Sequence, residues 1–466
     1  MKRKFIPIIA LVAVAAISIS VGLVLLLGQN QKPKGPSFSE GLSFAEVEGG
    51  WAVVDYAGTD VEVVIPEKYN GKPVVSIGTA GYRANGTQDG FYANDKIVTV
   101  HVPDSVTTIW KMAFSECENL IEVTGCKNVR TVGDSAFANC SKLKKAALGN
   151  KLEVLGESAF SSCQNLETVS LPNTVKRVAS SAFFRCNALN MKVENGVKFV
   201  GNAKNPHLVA LLAESSEITT AVIPDSTKII SDLAFMLCTK LTTVSVGSGV
   251  EFVGKDAFIT CNNLTYRTVN GVNYLGNDKN PCVIAMGVAQ GAEKAVALSD
   301  DCRILYNGFT LGLTETLTIG KSLLYVPEKT LGTNALTAFA VSEQNAALKA
   351  IDGVLYTKDG KTLLAYPSQK EDASFTVGGE VTTIAAHAFL DANNLSSLTI
   401  SQSVTTIEAG AFLNAVRLTE VVFTVPTGWV CVTGGTESPL PESIVANASL
   451  IAIKLITDYQ NAYARH

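Results

Sequence analysis

The sequence predicts a repeat solenoid, mainly β with short loops and turns, preceded by one N-terminal transmembrane helix. The first observation is a period of 23 residues, which separates Phe114, Phe137, Phe160 and Phe183. The second is the pattern around each phenylalanine: alanine directly before it, an aliphatic residue five positions before, cysteine three positions after and leucine six positions after. Periodic copies of this kind bury their apolar edges by stacking, so the pattern predicts one continuous stack of coils.

The third observation is an uncharged run near the N-terminus. Residues 5–28 carry no charge over 24 positions and follow a Lys-Arg-Lys start. About 20 apolar residues cross a bilayer, whereas the core of a signal peptide has about 7–15. We interpret residues 1–28 as an uncleaved signal anchor and residues 29–40 as a linker. The small residues at 15–20 could form a cleavage site, so the alternative is a cleaved signal peptide and a secreted protein. The basic residues at the start favour a cytoplasmic location of the N-terminus, so we expect the chain after the anchor to be exported.

Residues 41–103 are predicted to form the N-terminal cap and the first repeat. Residues 61–66 and 72–77 alternate apolar and polar side chains, as short strands do. Phe91 lies one period, 23 residues, before the next repeat phenylalanine and so provides the first ring. The Gly- and Asn-rich stretch before it contains Tyr82 and is expected to be a surface loop.

Residues 104–425 are predicted to form the solenoid itself. Its phenylalanine column is expected to comprise Phe91, Phe114, Phe137, Phe160, Phe183, Phe235, Phe258, Phe309, Phe389 and Phe412. Its cysteine column is expected to comprise Cys117, Cys140, Cys163, Cys186, Cys238 and Cys261. Alternating runs around polar Gly/Asn turns break the period and predict hairpin insertions near 195–213, 270–289 and 350–370.

The repeat also resembles a known family. Residues 166–183 read LETVSLPNTVKRVASSAF, which is similar to the L-x-x-I-x-I-P-x-x-V-x-x-I-G-x-x-A-F pattern of the BspA-like leucine-rich repeats. The resemblance covers most of the chain after the N-terminus. It implies a solenoid that serves as a binding scaffold, of a kind common on bacterial surfaces, rather than an enzyme.

Ten cysteines in an exported chain would ordinarily indicate disulfides. Six of them occupy one position of the repeat, so stacking aligns them inside the coil. The resemblance implies that a Cys or Asn at this position satisfies backbone groups of the turn. We therefore expect buried free thiols. The alternative is a metal or redox role, but the chain has no Cys-x-x-Cys motif and its four histidines form no cluster, so we expect no cofactor and no metal.

Residues 426–466 do not follow the repeat pattern and are predicted to form a C-terminal cap. Residues 446–463 place Ile451, Leu455, Ile456 and Tyr459 on one face at helical spacing. A closing helix that covers the last apolar edge of the stack is the preferred interpretation. An amphipathic membrane segment is the alternative.

The outward positions of the predicted strands form a flat face rich in Ser and Thr. The candidate binding surface combines this face with aromatic residues of the insertions, and comprises Tyr82, Thr168, Ser170, Thr243, Ser245, Tyr266, Thr268, Tyr274, Tyr356, Ser397 and Thr399. The alternative is that the threonines only reflect strand propensity. No paired carboxylates, catalytic triad or phosphate loop is evident in the pattern.

The net charge of −4 argues against a nucleic-acid partner. The sequence therefore predicts a non-enzymatic extracellular protein, held at the membrane by residues 5–28, that binds a protein or glycan partner. The first alternative is a structural component of the cell envelope without a specific ligand. The second is an enzyme whose site is built by the insertions.

Overall fold

Each regular coil contributes two strands, because apolar and polar residues alternate at two places in every repeat. The computed structural model describes residues 38–79, 89–327, 335–433, 436–458 and 460–465. Glu122 lies opposite Thr99 and Lys145 in parallel strands, one repeat to either side. The next strand, Thr131–Val132, is likewise parallel to its equivalents in the neighbouring coils. The coils therefore stack as two rows of strands, the long-strand row and the short-strand row.

The long-strand row contains Glu62–Val64, Thr99–Val102, Glu122–Gly125, Lys145–Ala146, Thr220–Ile223, Thr243–Val246, Ala295–Ala297, Thr316–Ile319, Ala338–Val341, Ser374–Thr376, Ser397–Ile400 and Glu420–Phe423. The short-strand row contains Thr108–Ile109, Thr131–Val132, Val154–Leu155, Arg177–Val178, Ile229–Ile230, Phe252–Val253, Ile304–Leu305, Thr383–Ile384 and Thr406–Ile407. A 3₁₀ turn spans Ser180–Phe183. This mainly β solenoid confirms the predicted fold class of the repeat region.

A column of stacked aromatic rings fills the space between the two rows. The centroid of Phe137 lies 5.0 Å from that of Phe114 and 5.0 Å from that of Phe160, with nearly parallel ring planes. The column continues to Phe91 and Phe183 at its two ends. Offset stacking of this kind adds to the burial of each ring, so the 23-residue period becomes a continuous apolar core.

Tyrosines extend the aromatic column where the sequence did not predict them. Tyr366 stacks on Phe389 at 5.3 Å, and Tyr306 packs on Phe258 at 6.0 Å. The prediction that Phe309 continues this column is wrong. Its ring is buried in the next apolar cluster, with Leu317, and Tyr306 packs on the column instead. Phe309 comes four residues after the end of strand Ile304–Leu305, whereas Phe137 comes five residues after the end of Thr131–Val132.

The cysteine column lies beside the rings and caps the backbone of the preceding coil. The Sγ of Cys140 donates to the carbonyl of Phe114 at 3.0 Å, and Cys163 makes the same bond to Phe137 at 3.0 Å. Cys238 departs from the pattern and bonds to Ser215 at 3.8 Å, because an insertion replaces the regular coil before it. All ten cysteines are buried and free of disulfides.

We expect the native thiols to resist thiol reagents. Burial raises the pKa of Cys117 from 9.0 to about 12, so about 1,000-fold less of the reactive thiolate exists near pH 8. Titration with an aromatic disulfide should label all ten cysteines in denaturant and almost none in buffer. Thr239→Cys, which adds a thiol at an exposed position, should react at once. Fast labelling of the unmodified native chain would contradict the burial of the column.

Three antiparallel meanders interrupt the stack. They comprise Lys192–Glu194, Val197–Val200 and Val209–Ala213; Arg267–Val269, Val272–Leu275 and Ile284–Val288; and Leu348–Ile351, Val354–Thr357 and Thr362–Ala365. Each has three strands where the sequence predicted a two-stranded hairpin. The third strand of each meander pairs in parallel with the next short strand, so the short-strand row continues beyond each meander.

The N-terminal cap begins the short-strand row with an antiparallel pair. Strands Leu42–Val47 and Gly50–Tyr56 pair with each other, and Gly50–Tyr56 is parallel to Lys72–Ile77. The short strand Lys68–Tyr69 pairs with the start of Lys72–Ile77. Tyr56 packs on the first repeat phenylalanine with ring centroids 5.9 Å apart, so the cap also closes the aromatic column.

The C-terminal cap consists of strands Trp429–Thr433, Thr436–Pro439 and Ala462–Arg465 with helices Glu442–Val445 and Ala448–Thr457. The closing helix ends at Thr457, so the prediction that it reaches residue 463 is wrong. The chain turns back because Ala462–Arg465 pairs antiparallel with Thr406–Ile407 and covers the last short strand. Asn447 caps the helix by accepting a hydrogen bond from the Leu450 N–H.

The predicted signal anchor, Tyr82 and Tyr459 lie outside the described residues. Among the residues that the structure describes, no helix has the length and apolar character needed to span a bilayer.

Candidate binding surface

The long-strand row splits at the first meander. In the regular ladder the Lys144 N–H donates to the Ile121 carbonyl at 2.9 Å, and the Asn190 N–H still makes the equivalent bond to Glu167 at 3.2 Å. Beyond Asn190 the chain leaves the row, and Lys192–Glu194 pairs with the second strand of the meander instead. The two neighbouring segments therefore diverge from a common point.

The split is closed again at its far end. The Leu171 N–H donates to the Gly201 carbonyl at 3.0 Å, and the Asn202 amide donates to the Leu171 carbonyl at 2.8 Å. We call the opening between these two closures the first fork. Its two edges are residues 168–170 and residues 191–193.

The first fork encloses a cavity of about 600 Å³. Thr168, Val169 and Ser170 line one side and Met191, Lys192 and Val193 the other, while the buried Phe199 and Val200 also contribute to the lining. The volume lies within the range of about 300–1,000 Å³ that is typical of ligand pockets. Two predicted site residues, Thr168 and Ser170, thus lie in a concave site with exposed side chains.

A second fork repeats this geometry at the second meander. The Thr265 N–H donates to the Thr242 carbonyl at 2.9 Å, and the Val246 N–H donates to the Gly276 carbonyl at 2.9 Å. The Asn277 amide closes the end by donating to the Val246 carbonyl at 2.7 Å. The second fork has residues 243–245 and 266–268 as its edges, which include the predicted site residues Thr243, Ser245, Tyr266 and Thr268.

The remaining predicted site residues lie elsewhere. Ser397 and Thr399 are half-buried on the long-strand row near the C-terminus. The Ser397 hydroxyl donates to the Glu420 carboxylate in the next coil at 3.0 Å, so it belongs to a closed part of the ladder. Neither residue shares a fork with the other candidates.

The prediction that Tyr274 and Tyr356 are exposed is wrong, because they are only 1% and 5% exposed. Alternation along the middle strand of each meander turns these rings toward the core. The Tyr274 hydroxyl accepts a hydrogen bond from the Ser299 N–H at 2.8 Å. Burial raises the pKa of both phenols, that of Tyr356 to about 12. The two tyrosines are core residues rather than contact residues.

The model of the BspA-type leucine-rich repeat region matches residues 87–204, 211–279 and 368–427, in six copies. These segments make up just over half of the chain. The chain belongs to the BspA-type leucine-rich repeat family. The family model leaves residues 280–367, between the last two of these segments, unmatched.

Solved structures of leucine-rich repeat proteins are similar to this BspA-type chain. The T. pallidum leucine-rich repeat protein is 26% identical over 49% of this chain and 90% of its own, with a TM-score of 0.33. A leucine-rich cell surface protein from Faecalibacterium prausnitzii is 21% identical over 84% and 77%, with a TM-score of 0.25. A leucine-rich repeat protein from Bacteroides ovatus is 19% identical over 82% and 93%, with a TM-score of 0.33. No curated protein matches the sequence.

Two smaller cavities lie away from the forks. One, of about 390 Å³, is lined by the ion pair of Arg177 and Asp232, whose nitrogen and oxygen are 3.2 Å apart, and by the ring of Tyr325. The other, of about 280 Å³, lies beside the third meander and is lined by Tyr356 and Phe375 among others. In the described ranges, no three His, Cys, Asp or Glu residues are grouped so as to hold a metal ion.

Sequence reasoning missed Met191, Lys192 and Val193, which form one edge of the first fork. The available signal was the interval from Phe183 to Phe235, which is 52 residues instead of 23. It shows that this BspA-type array is interrupted, but it does not show where the strand leaves the row. That point depends on hydrogen bonds between coils, which the residue pattern does not contain.

Proposed function

We propose that this BspA-type chain is a non-enzymatic surface protein that binds a protein or glycan partner through the two forks. The observation that carries the proposal is the clustering of Thr168, Ser170, Thr243 and Ser245 at two openings of the same geometry. Hydroxyl groups beside a concave, partly apolar cavity supply adaptable hydrogen bonds at a site large enough for a ligand.

The lining of the first fork favours binding over catalysis. Lys192 is the only charged side chain among the residues that line its cavity, all of which the structure describes. General acid–base catalysis needs a group poised to exchange a proton with the substrate, and nucleophilic catalysis needs an activated side chain. The threonine, serine and asparagine side chains of the lining supply neither, and the Lys192 ammonium is paired with the Glu194 carboxylate at 3.0 Å.

We further propose that the protein is exported and that residues 5–28 anchor it in the membrane. The support is the uncharged run and its basic start in the sequence. A stack held by one N-terminal segment would present both forks to the surroundings of the cell. In this arrangement the partner is extracellular and is not a nucleic acid.

The test is a binding screen of the purified full chain against arrays of extracellular proteins and of glycans. For a ligand found in this way, we expect the double variant Thr168→Arg/Ser170→Arg or its equivalent Thr243→Arg/Ser245→Arg to weaken binding by about ten-fold or more, because two long side chains fill the fork. Surface plasmon resonance measures the change in Kd.

The matched control is Glu122→Arg/Thr124→Arg, which places the same side chains at the same repeat positions in a closed part of the ladder. It should leave Kd within about two-fold. Binding that survives both fork variants would refute the site. The absence of any ligand on either array would favour the alternative of a structural envelope component.

A further inference from the structure

The backbone at the first fork carries hydrogen-bonding groups that the fold leaves unused. On one edge, Glu167 and Leu171 make the bonds that close the two ends of the opening. Val169, midway between them, has its N–H and C=O directed to the same side by the alternation of the strand. Neither group makes a backbone hydrogen bond within the part of the chain that the structure describes.

The opposite edge presents a second such pair. Asn195 and Gly196, with φ values of 50° and 81°, form a two-residue turn between the first two strands of the meander. This turn makes Glu194 and Val197 the hydrogen-bonded pair, so the N–H and C=O of Val193 point away from the meander. The Val193 side chain is 45% exposed, and the residue lines the same cavity as Val169.

We propose that the first fork binds an extended polypeptide segment, which adds a strand between Val169 and Val193. This inference rests on the proposed function of the fork and names the chemistry of its partner. A peptide backbone repeats a donor and an acceptor on each side about every two residues, and so satisfies both edges at once. A glycan has no such periodic alternation of N–H and C=O groups.

The second fork supports the same assignment. Asn270 and Gly271, with φ values of 49° and 74°, form the equivalent two-residue turn and direct the backbone of Thr268 toward its open edge. Lys192 of the first fork and Arg267 of the second occupy the same position in their meanders. The Lys192 ammonium is paired with the Glu194 carboxylate at 3.0 Å, so at the first fork this position adds no net charge preference for the bound segment.

The test uses the full chain and a library of random seven-residue peptides displayed on phage, from which binding peptides are selected and synthesised. Methylation of alternate backbone nitrogens in a selected peptide should weaken its binding by about ten-fold or more, because each lost N–H removes a hydrogen bond to a strand edge. Methylation of the remaining nitrogens, which face the opposite edge, should weaken binding as well, because the added strand bonds to both edges.

Hydrogen exchange supplies a readout on the protein. Bound peptide should slow exchange of the Val169 and Val193 amides by about ten-fold, because both become hydrogen-bonded. The corresponding amide of Val123, in a closed ladder, should be unchanged. The variant Thr168→Arg/Ser170→Arg should abolish the protection, and Glu122→Arg/Thr124→Arg should not.

The outcomes separate the two proposals. Peptides that bind equally well after every methylation would overturn the added strand while leaving a peptide site. A glycan whose binding is lost in Thr168→Arg/Ser170→Arg, with no peptide selected, would retain the proposed function and refute the polypeptide partner. If neither class of ligand binds, both proposals fail.

Discussion

Replacing Phe137 with alanine is expected to lower the free energy of unfolding by about 3–5 kcal/mol. The ring is fully enclosed between Phe114 and Phe160, each 5.0 Å away, so its removal leaves a cavity in the middle of the column. The backbone on both sides is fixed by the two rows of strands and cannot close around the gap. Urea denaturation followed by circular dichroism measures the loss.

Phe184→Ala is the matched control, because Phe184 follows a column phenylalanine directly and is 57% exposed. Its removal should change the free energy of unfolding by less than about 1 kcal/mol. A lower slope of the urea transition for Phe137→Ala would indicate that the stack unfolds in sections, as expected when each coil contacts only its neighbours. Equal losses for the two variants would contradict the enclosed column.

Gly125→Ala is expected to have the second largest effect, about 2–5 kcal/mol. Gly125 has a φ of +83°, and a Cβ at this position would lie 1.9 Å from the Val102 carbonyl oxygen. That carbonyl accepts a hydrogen bond from the Cys126 N–H and belongs to the neighbouring strand. Because it cannot move without opening the row, the methyl group forces the two coils apart. Thermal unfolding of the purified variant gives the size of the effect.

Gly291→Ala separates backbone strain from steric overlap. Gly291 has a similar φ of +79°, but no atom lies within 4 Å of the position that an alanine methyl group would take. It should therefore cost only about 1–2 kcal/mol, the penalty of the left-handed conformation alone. If both variants lose the same stability, the close approach between the coils at Gly125 is not the cause.

The periodic part of the fold could be predicted from the sequence because each coil repeats the same local arrangement of core residues. Phe114 and Phe137 occupy the same repeat position and therefore the same place in the column. Sequence reasoning failed where the period fails: Phe309 lies five residues after Ile304, but the short strand there ends at Leu305, and Tyr306 takes the column position. Spacing predicts position only while the neighbouring coils keep the same length.

Only part of the candidate site could be predicted from the sequence, for a related reason. Alternation along a strand identified Thr168 and Ser170 as outward-facing, because that depends on local geometry. The same rule does not tell which face of a meander meets the core, and Tyr274 was placed on the wrong side. Nothing in the sequence marked Val193 as a residue of an open edge, because a valine beside a turn is also common in strands that are paired on both sides.

The sequence by itself determined the family, the coil length and the residues that fill the core of the regular coils, because these follow from contacts between identical positions of successive repeats. The tertiary structure decided where the long-strand row opens. An opening exists only where one coil stops bonding to the next, and that depends on competition between the row and the meander for the same backbone groups. Lys192–Glu194 pairs with the second strand of the meander instead of with the long-strand row. The backbone groups of Val169 therefore have no backbone hydrogen-bond partner among the described residues.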